Sequence, residues 1–334
     1  MSFQKIVKAA KIVKAGTKWV KVHQGASGVN CSDGDQELSL WLDTEGESLP
    51  AITWDNLELF ELEAKLGYNL MEVELVGDLV SADAPGHFAV SAQEWESVVW
   101  VALATDQEST RYCLSAVFFE GQGVVATDGR RLHRAGLVAD FGGEDKYPQQ
   151  LVPVRAVKAV SALIKLFKDR SVLVSFTGTT VTVSGERWRF KSRLVEGRFP
   201  NWRQVCPHLT ERSYLRETTI FAAALADAKA AVVRHKLEIK AKVRTDDAPI
   251  WQEILPACDN GAACLINPKY LVDGLALLGK SKSIRATVEE SRDAVLTIYG
   301  DAGTFAVIMP GGTKETNKDK AARLAKERAA AGAE

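Results

Sequence analysis

The side chains that could do covalent or metal chemistry are present but are not gathered. Five histidines and five cysteines are spread over 334 residues, and Cys31, Cys113, Cys206, Cys258 and Cys264 form no CxxC pair. Such spacing argues against both a disulfide framework and a zinc site, and leaves small buried or half-buried thiols as the reading. Asp128 and Glu196 are conceivable ligands for a metal in phosphoryl chemistry. The chain nevertheless carries no HExxH, GxSxG or Walker loop around them. Thr127-Asp128-Gly129 lacks the several glycines of a phosphate cradle and reads as a strand-ending turn. No catalytic residue, metal or cofactor is expected.

Charge offers a different chemistry. Lysine and arginine total 42 against 43 Asp and Glu, a net charge of -1, so any polyanion must be met by segregated cations and not by an overall basic protein. Segregation is visible at helical spacing, about 100° per residue. Near the start, Ile6, Ala10 and Val13 form an apolar stripe while Lys5, Lys8 and Lys11 take the opposite face, with Lys14 at its edge. After Pro153, Val157, Val160 and Ile164 form the stripe and Arg155, Lys158 and Lys165 lie together beside Ala159 and Ala162. Small residues among the cations would let a phosphate backbone come close. The theme is weaker around Lys229, Arg234, Lys269, Lys280 and Lys282, and an acidic helix predicted over Asp55 to Glu63 breaks it.

These helices belong to a repeat. Residues 151–167 (LVPVRAVKAVSALIKLF) and 265–279 (LINPKYLVDGLALLG) each set an apolar pair and a proline before an amphipathic helix. Alternating segments follow each one: SVLVSF, TVTVSG and RWRFKSRLV, then SIRATV, AVLTIYG and TFAVIMP. Period-two alternation broken at Thr177-Gly178, Gly185-Glu186, Arg292-Asp293 and Gly300-Asp301 predicts antiparallel hairpins. A weaker copy runs over 49–67, so that the units recur at roughly 100 to 115 residues. Upstream of each copy lies a further helix and strands: QKIVKAAKIVKAG with WVKVHQ, AQEWESVVWVALAT with RYCLSAVFFEGQGVVATDG, and TIFAAALADAKAAVVRH with LEIKAKVRT. The chain is therefore predicted to be α+β, with three domains that are each a doubled helix-plus-antiparallel-strands unit. The domains are placed at 1–86, 87–206 and 207–310, followed by a charged Ala/Lys/Glu-rich tail over 311–334. Apolar residues at 46% and charged residues at 25% can supply a core to each. No run approaches the roughly 18 apolar residues of a membrane span, and the Lys-rich start lacks a signal's apolar stretch. A cytoplasmic protein with no membrane partner is expected.

Three ordered segments carry a family likeness. RYCLSAVFFEGQGVVATDGRRL (111–132), KSRLVEGRFPNWRQVCP (191–207) and FAVIMP (305–310), with LINPKYLVDGLALL in support, resemble the bacterial DNA polymerase III β sliding clamp family. The divergence fits a phage or mobile-element member. The resemblance implies a head-to-tail homodimer that forms a ring around duplex DNA, with sheets outside and helices lining a central hole. It implies a processivity factor for DNA replication whose partners are DNA without regard to sequence, a second copy of the chain, and the polymerase and clamp loader through short peptide motifs. Lys5, Lys8, Lys11, Arg155, Lys158 and Lys165 would then face DNA. A peptide cleft between the second and third domains is implied at Arg111, Leu114, Thr127, Gly129, Arg130, Arg131, Leu132, Pro200, Gln204, Val205, Val307, Ile308, Met309 and Pro310. Its apolar floor would adapt through Met309, and Arg111 and Arg131 would anchor carboxylates or carbonyls at the rim.

The chain departs from the family at Gly311-Gly312, where bulky and basic residues are usual, and at Gln204, where an arginine is expected. The first domain is also short by roughly thirty residues, without an opening strand and a closing hairpin strand. That shortening motivates the alternative reading: a non-encircling, clamp-like adaptor or decoy for polymerase peptides.

Overall fold

The computed structural model describes residues 3–13, 21–25, 28–32, 35–41, 52–54, 87–106, 112–142, 150–206, 215–221, 226–233, 252–253, 265–278, 283–289 and 295–309. The acidic helix predicted at Asp55 to Glu63, Arg111, Pro310 and the tail after it lie outside the described residues, as does most of the weaker repeat copy. The chain divides into two compact units. One comprises Met1–Trp202 with Gly300–Phe305, and the other Arg203–Tyr299 with Ala306–Glu334.

In the first unit the predicted amphipathic helices form. Helix α1 (Phe3–Val13) buries Ile6, Ala9 and Ala10 and leaves Lys8 and Lys11 exposed. Helix α2 (Ala92–Val101) starts where Ser91 and Glu94 satisfy each other's amides. The Ser91 hydroxyl accepts from the Glu94 N–H at 3.1 Å, and the Glu94 carboxylate accepts from the Ser91 N–H at 2.8 Å. Two amides that would otherwise lack partners at the first turn are thereby paired. Helix α3 (Val154–Phe167) buries Val157, Val160, Leu163 and Ile164 on one face, and packs against both α1 and α2. It ends at Lys168, whose left-handed φ of 61° sends its amide back to the Ile164 carbonyl.

The strands of this unit alternate as expected. β1 (Lys21–Gly25), β2 (Gly28–Ser32), β3 (Gln36–Trp41), β4 (Ile52–Trp54) and β5 (His87–Ser91) share one sheet with β10 (Ser171–Thr177), β11 (Thr180–Ser184) and β12 (Trp188–Arg193). The order is β4-β1-β2-β3-β12-β11-β10-β5, antiparallel throughout. The β3–β12 seam pairs Leu38 with Phe190 and Leu40 with Trp188, all four at most 1% exposed. Each such side chain contributes about 1.5–3 kcal/mol by its burial, so the seam joins residues before 86 to those after 87 through core as well as backbone. A second set, β6 (Ala116–Phe119), β7 (Gly123–Thr127), β8 (Arg131–Gly136) and β9 (Gln150–Pro153), runs β9-β6-β7-β8. An aromatic cluster fills the interior: Phe119 meets Phe141 edge-on at 5.2 Å and Phe176 at 5.7 Å, and Phe88 meets Phe141 at 4.8 Å.

The second unit repeats the scheme over its described residues. β13 (Leu215–Phe221), β16 (Ser283–Glu289), β17 (Leu296–Tyr299) and β18 (Phe305–Ile308) follow one another across a sheet, and β14 (Gln252–Glu253) pairs with β15 (Leu265–Ile266). Residues 226–233 are helical. Helix α4 (Pro268–Leu278) brings Gly274 against the strands, where a Cβ would stand 3.4 Å from Ala306 and 3.7 Å from Ile298 and Ile308.

Candidate functional site

The turn between β7 and β8 holds most of the expected cleft residues of the first unit. Asp128 organises it. Its Oδ1 accepts the Arg130 and Arg131 amides, each at 2.9 Å, and its Oδ2 accepts the Arg131 Nε at 2.9 Å. Gly129 takes a φ of +83°, a value that costs a side-chain-bearing residue strain, and its amide donates to the Thr127 hydroxyl at 3.0 Å. That hydroxyl in turn donates to the Arg131 carbonyl at 2.6 Å.

Arg131 therefore does not stand free at a rim. Its side chain is 4% exposed, and its Nη2 donates to the Leu103 carbonyl at 2.6 Å. The carboxylate and carbonyl it anchors belong to its own chain. Arg130 is the exposed cation of this turn, and Leu103, whose carbonyl accepts from Arg131, is 39% exposed. Leu114 and Leu132 are core, at 6% and 2% exposure, and Thr127 is also buried. Pro200 is exposed.

In the second unit Gln204 and Val205 are exposed, Val205 at 44%, on a short helical turn, Trp202–Val205. Val307 and Ile308 are buried in β18, and Met309 just after it is half-buried. Val307 and Ile308 thus read as sheet core in their own unit, whereas Gln204 and Val205 are open to contact.

The cations of α1 and α3 divide in two. Lys8, Lys11, Lys158 and Lys165 are exposed and Lys5 is half-buried. Arg155 instead donates through Nη2 to Asp35 Oδ2 at 2.8 Å, where the backbone carbonyl of the same aspartate accepts the Arg193 amide at 3.1 Å. Its charge is largely answered within the chain. Beside it Ile12, Ser115, Pro153, Val154, Arg155, Lys158, Ala159 and Ala162 line a cleft of about 660 Å³. Small residues and cations share that wall, as the spacing in the sequence required. A second recess, of about 410 Å³, lies among Gly178, Thr179 and residues 194–198.

Three arrangements had no sequence signal. Arg134, with Trp202 and Phe305, holds the hairpin tip 300–304. Asp169, just past the end of α3, accepts from the Trp188 indole at 2.7 Å and the Glu186 amide at 3.2 Å. Burial raises its pKa and the indole bond works against that. His133 is fully buried, stacked on Trp100 at 4.5 Å and 12°, with Nδ1 3.2 Å from the Trp100 carbonyl. Burial lowers its pKa to about 3, the Trp100 carbonyl opposes the shift, and nearby Arg131 adds to it. None of the three forms a nucleophile–base pair with a neighbour, and among the described residues no group of His, Cys, Asp or Glu is placed to hold a metal. No described helix is long and apolar enough to cross a membrane.

Residues 91–201 match the family described as DNA polymerase III beta subunit, central domain. A beta sliding clamp of Pseudomonas aeruginosa is 27% identical over 225 residues, which is 63% of this chain and 60% of that protein. One of Vibrio cholerae is 26% identical over 261 residues, 69% of this chain and 70% of its own length. Among solved structures, a putative DNA polymerase III beta subunit of Eubacterium rectale superposes with a TM-score of 0.66 at 14% identity, covering 93% of this chain and 98% of its own. A sliding clamp of Bartonella birtlesii bound to griselimycin gives 0.65 at 19% identity, with 93% and 98% coverage. The fold is shared along nearly the whole chain, while the matched sequence spans about 60% of the Pseudomonas aeruginosa relative.

Proposed function

Taking this chain as a divergent relative of the bacterial DNA polymerase III beta subunits, we propose that it is a DNA sliding clamp that encircles duplex DNA and tethers a polymerase to it. The match over residues 91–201 carries the reading, and the fold likeness over 93% of the chain supports extending it beyond that segment. The domains are 1–86, 87–206 and 207–310, with two chains supplying the six domains of a ring. The protein is not an enzyme; it acts in the cytoplasm on partners that do the chemistry.

A clamp must hold DNA without stopping on it, so it needs diffuse phosphate attraction and no base-reading contacts. Exposed lysines on α1 and α3, set among alanines, are suited to that. Lys8, Lys11, Lys158 and Lys165 face the duplex with Lys5, while Arg155 contributes chiefly by its tie to Asp35. Partner peptides dock at a cleft of Arg111, Leu114, Thr127, Gly129, Arg130, Arg131, Leu132, Pro200, Gln204, Val205, Val307, Ile308, Met309 and Pro310, of which Gly129, Arg130, Pro200, Gln204 and Val205 are exposed. Arg131 ties the Asp128 turn to the Leu103 carbonyl. Polymerase and clamp loader reach the protein through short apolar-ended segments.

Analytical ultracentrifugation tests the assembly. Two chains per particle are expected. A strict monomer at micromolar concentration contradicts a two-chain ring and favours an adaptor that docks polymerase peptides without enclosing DNA.

A further inference from the structure

The hairpin tip between β17 and β18 is an exposed turn held down from one side. Ala302 and Gly303 have positive φ values of 51° and 72°, and the Gly300 amide donates to the Thr304 carbonyl at 2.8 Å. Asp301, Ala302 and Gly303 are exposed. Here β8 supplies three further restraints. The Arg134 Nη1 donates to the Gly303 carbonyl. The Gly136 amide donates to the Thr304 hydroxyl at 3.2 Å. Gly136 also lies so close under the tip that a Cβ there would come within 1.8 Å of the Ala302 carbonyl oxygen, so any side chain at 136 would displace the tip.

Arg134 does more than hold the tip. Its guanidinium carbon stands 5.8 Å from the Trp202 ring centre and 6.0 Å from that of Phe305, and those two rings are 6.3 Å apart. Both aromatics are nearly buried, at 6% and 5% exposure. A cation over a ring face at this range is attracted by the ring quadrupole, more strongly as water is excluded. Each ring opens a chain segment: Trp202 leads into Gln204 and Val205, and Phe305 into Val307, Ile308 and Met309.

We propose that Arg134 is a positioning residue for the peptide cleft: by fixing Trp202, Phe305 and the tip at Gly303 together, it sets the two segments that carry the cleft's later residues. The inference rests on the cleft reading given above. Arg134 need touch no peptide itself. It acts through the two rings and the tip, and its loss lets both segments move.

The test takes griselimycin, the compound bound by the Bartonella birtlesii sliding clamp, as the probe of the cleft and measures its binding by calorimetry on the full chain, well below each variant's melting temperature so that the folded fraction is complete. Arg134→Met keeps the apolar stem and removes the fork; Arg134→Lys keeps the charge and a donor. Thr304→Val removes the second restraint and leaves the arginine in place. Lys191→Met, an exposed cation outside the proposed cleft, controls for the loss of a positive charge. The expected result is a Kd raised by about tenfold or more in Arg134→Met, an intermediate value in Arg134→Lys, and a smaller rise in Thr304→Val. Simple destabilisation would lower the melting temperature without moving Kd. If Arg134→Met fails to fold, Thr304→Val and Arg134→Lys carry the test. Native-like affinity, within about twofold, in the folded variants overturns the positioning role. Failure of the native chain to bind overturns the cleft reading and this inference with it, and is told apart by the native measurement alone.

Discussion

His133 sets a pH dependence that one side chain can be made to reveal. Unfolded, its imidazole protonates near the ordinary histidine value of 6.5; folded, burial holds it neutral down to about 3. A base whose pKa is depressed by folding stabilises the fold above its unfolded value, and that stability drains as pH falls between the two values, at about 1.4 kcal/mol per pH unit. His133→Phe keeps a ring to stack on Trp100 and removes the titration. Urea unfolding at pH 7 and pH 5 should find the native chain losing about 2 kcal/mol more than the variant. Equal losses would mean that His133 is not buried neutral. The neighbouring Arg131 carries the opposite lesson, since a cation that looked like a free anchor in the sequence is spent on Asp128 and Leu103. Spacing places a side chain on an element, but its partners come from elements far away in the chain.

The elements themselves were largely legible. The stripes of Ile6 with Ala10, and of Val157, Val160 and Ile164, are buried as period 3.6 requires. The strands at 171–177, 180–184 and 188–193 follow their alternation. What could not be read was which cations on those helices stay available. Arg155 and Lys158 share a face in the sequence, yet only Arg155 meets an aspartate from the turn before β3. Hence a prediction at this scale: reversing Lys8, Lys158 and Lys165 to Glu should flatten the dependence of log K on log salt for duplex binding by about 2–3 units, near 0.9 for each phosphate no longer neutralised. Arg155→Glu should act first on stability, because it sets two carboxylates against each other. An unchanged salt slope in the triple variant would remove α1 and α3 from the DNA-facing surface. The Asp169–Trp188 link was equally invisible: it joins the end of α3 to the β11–β12 turn, and Gly185 must lack a Cβ because one would stand 2.3 Å from the indole nitrogen and 2.8 Å from the Asp169 carboxylate.

For the whole molecule, the repeat of helix and meander implied several similar domains before any likeness was invoked, and the ordered segments at 111–132, 191–207 and 305–310 pointed to one family. The three-domain division is a proposal built on that repeat, and the cleft is one built on that likeness. The described residues before 86 are bound to those after 87 through the β3–β12 seam. Enclosure of DNA differs from ordinary binding because a closed ring is held by topology and not by charge. The direct measurement is salt-washed retention on linear duplexes mixed with the protein while one end is open. That end is then either blocked with bound streptavidin or left free. Retention in high salt on the blocked duplex, with release from the open one, is the result predicted. Equal loss from both would contradict encirclement.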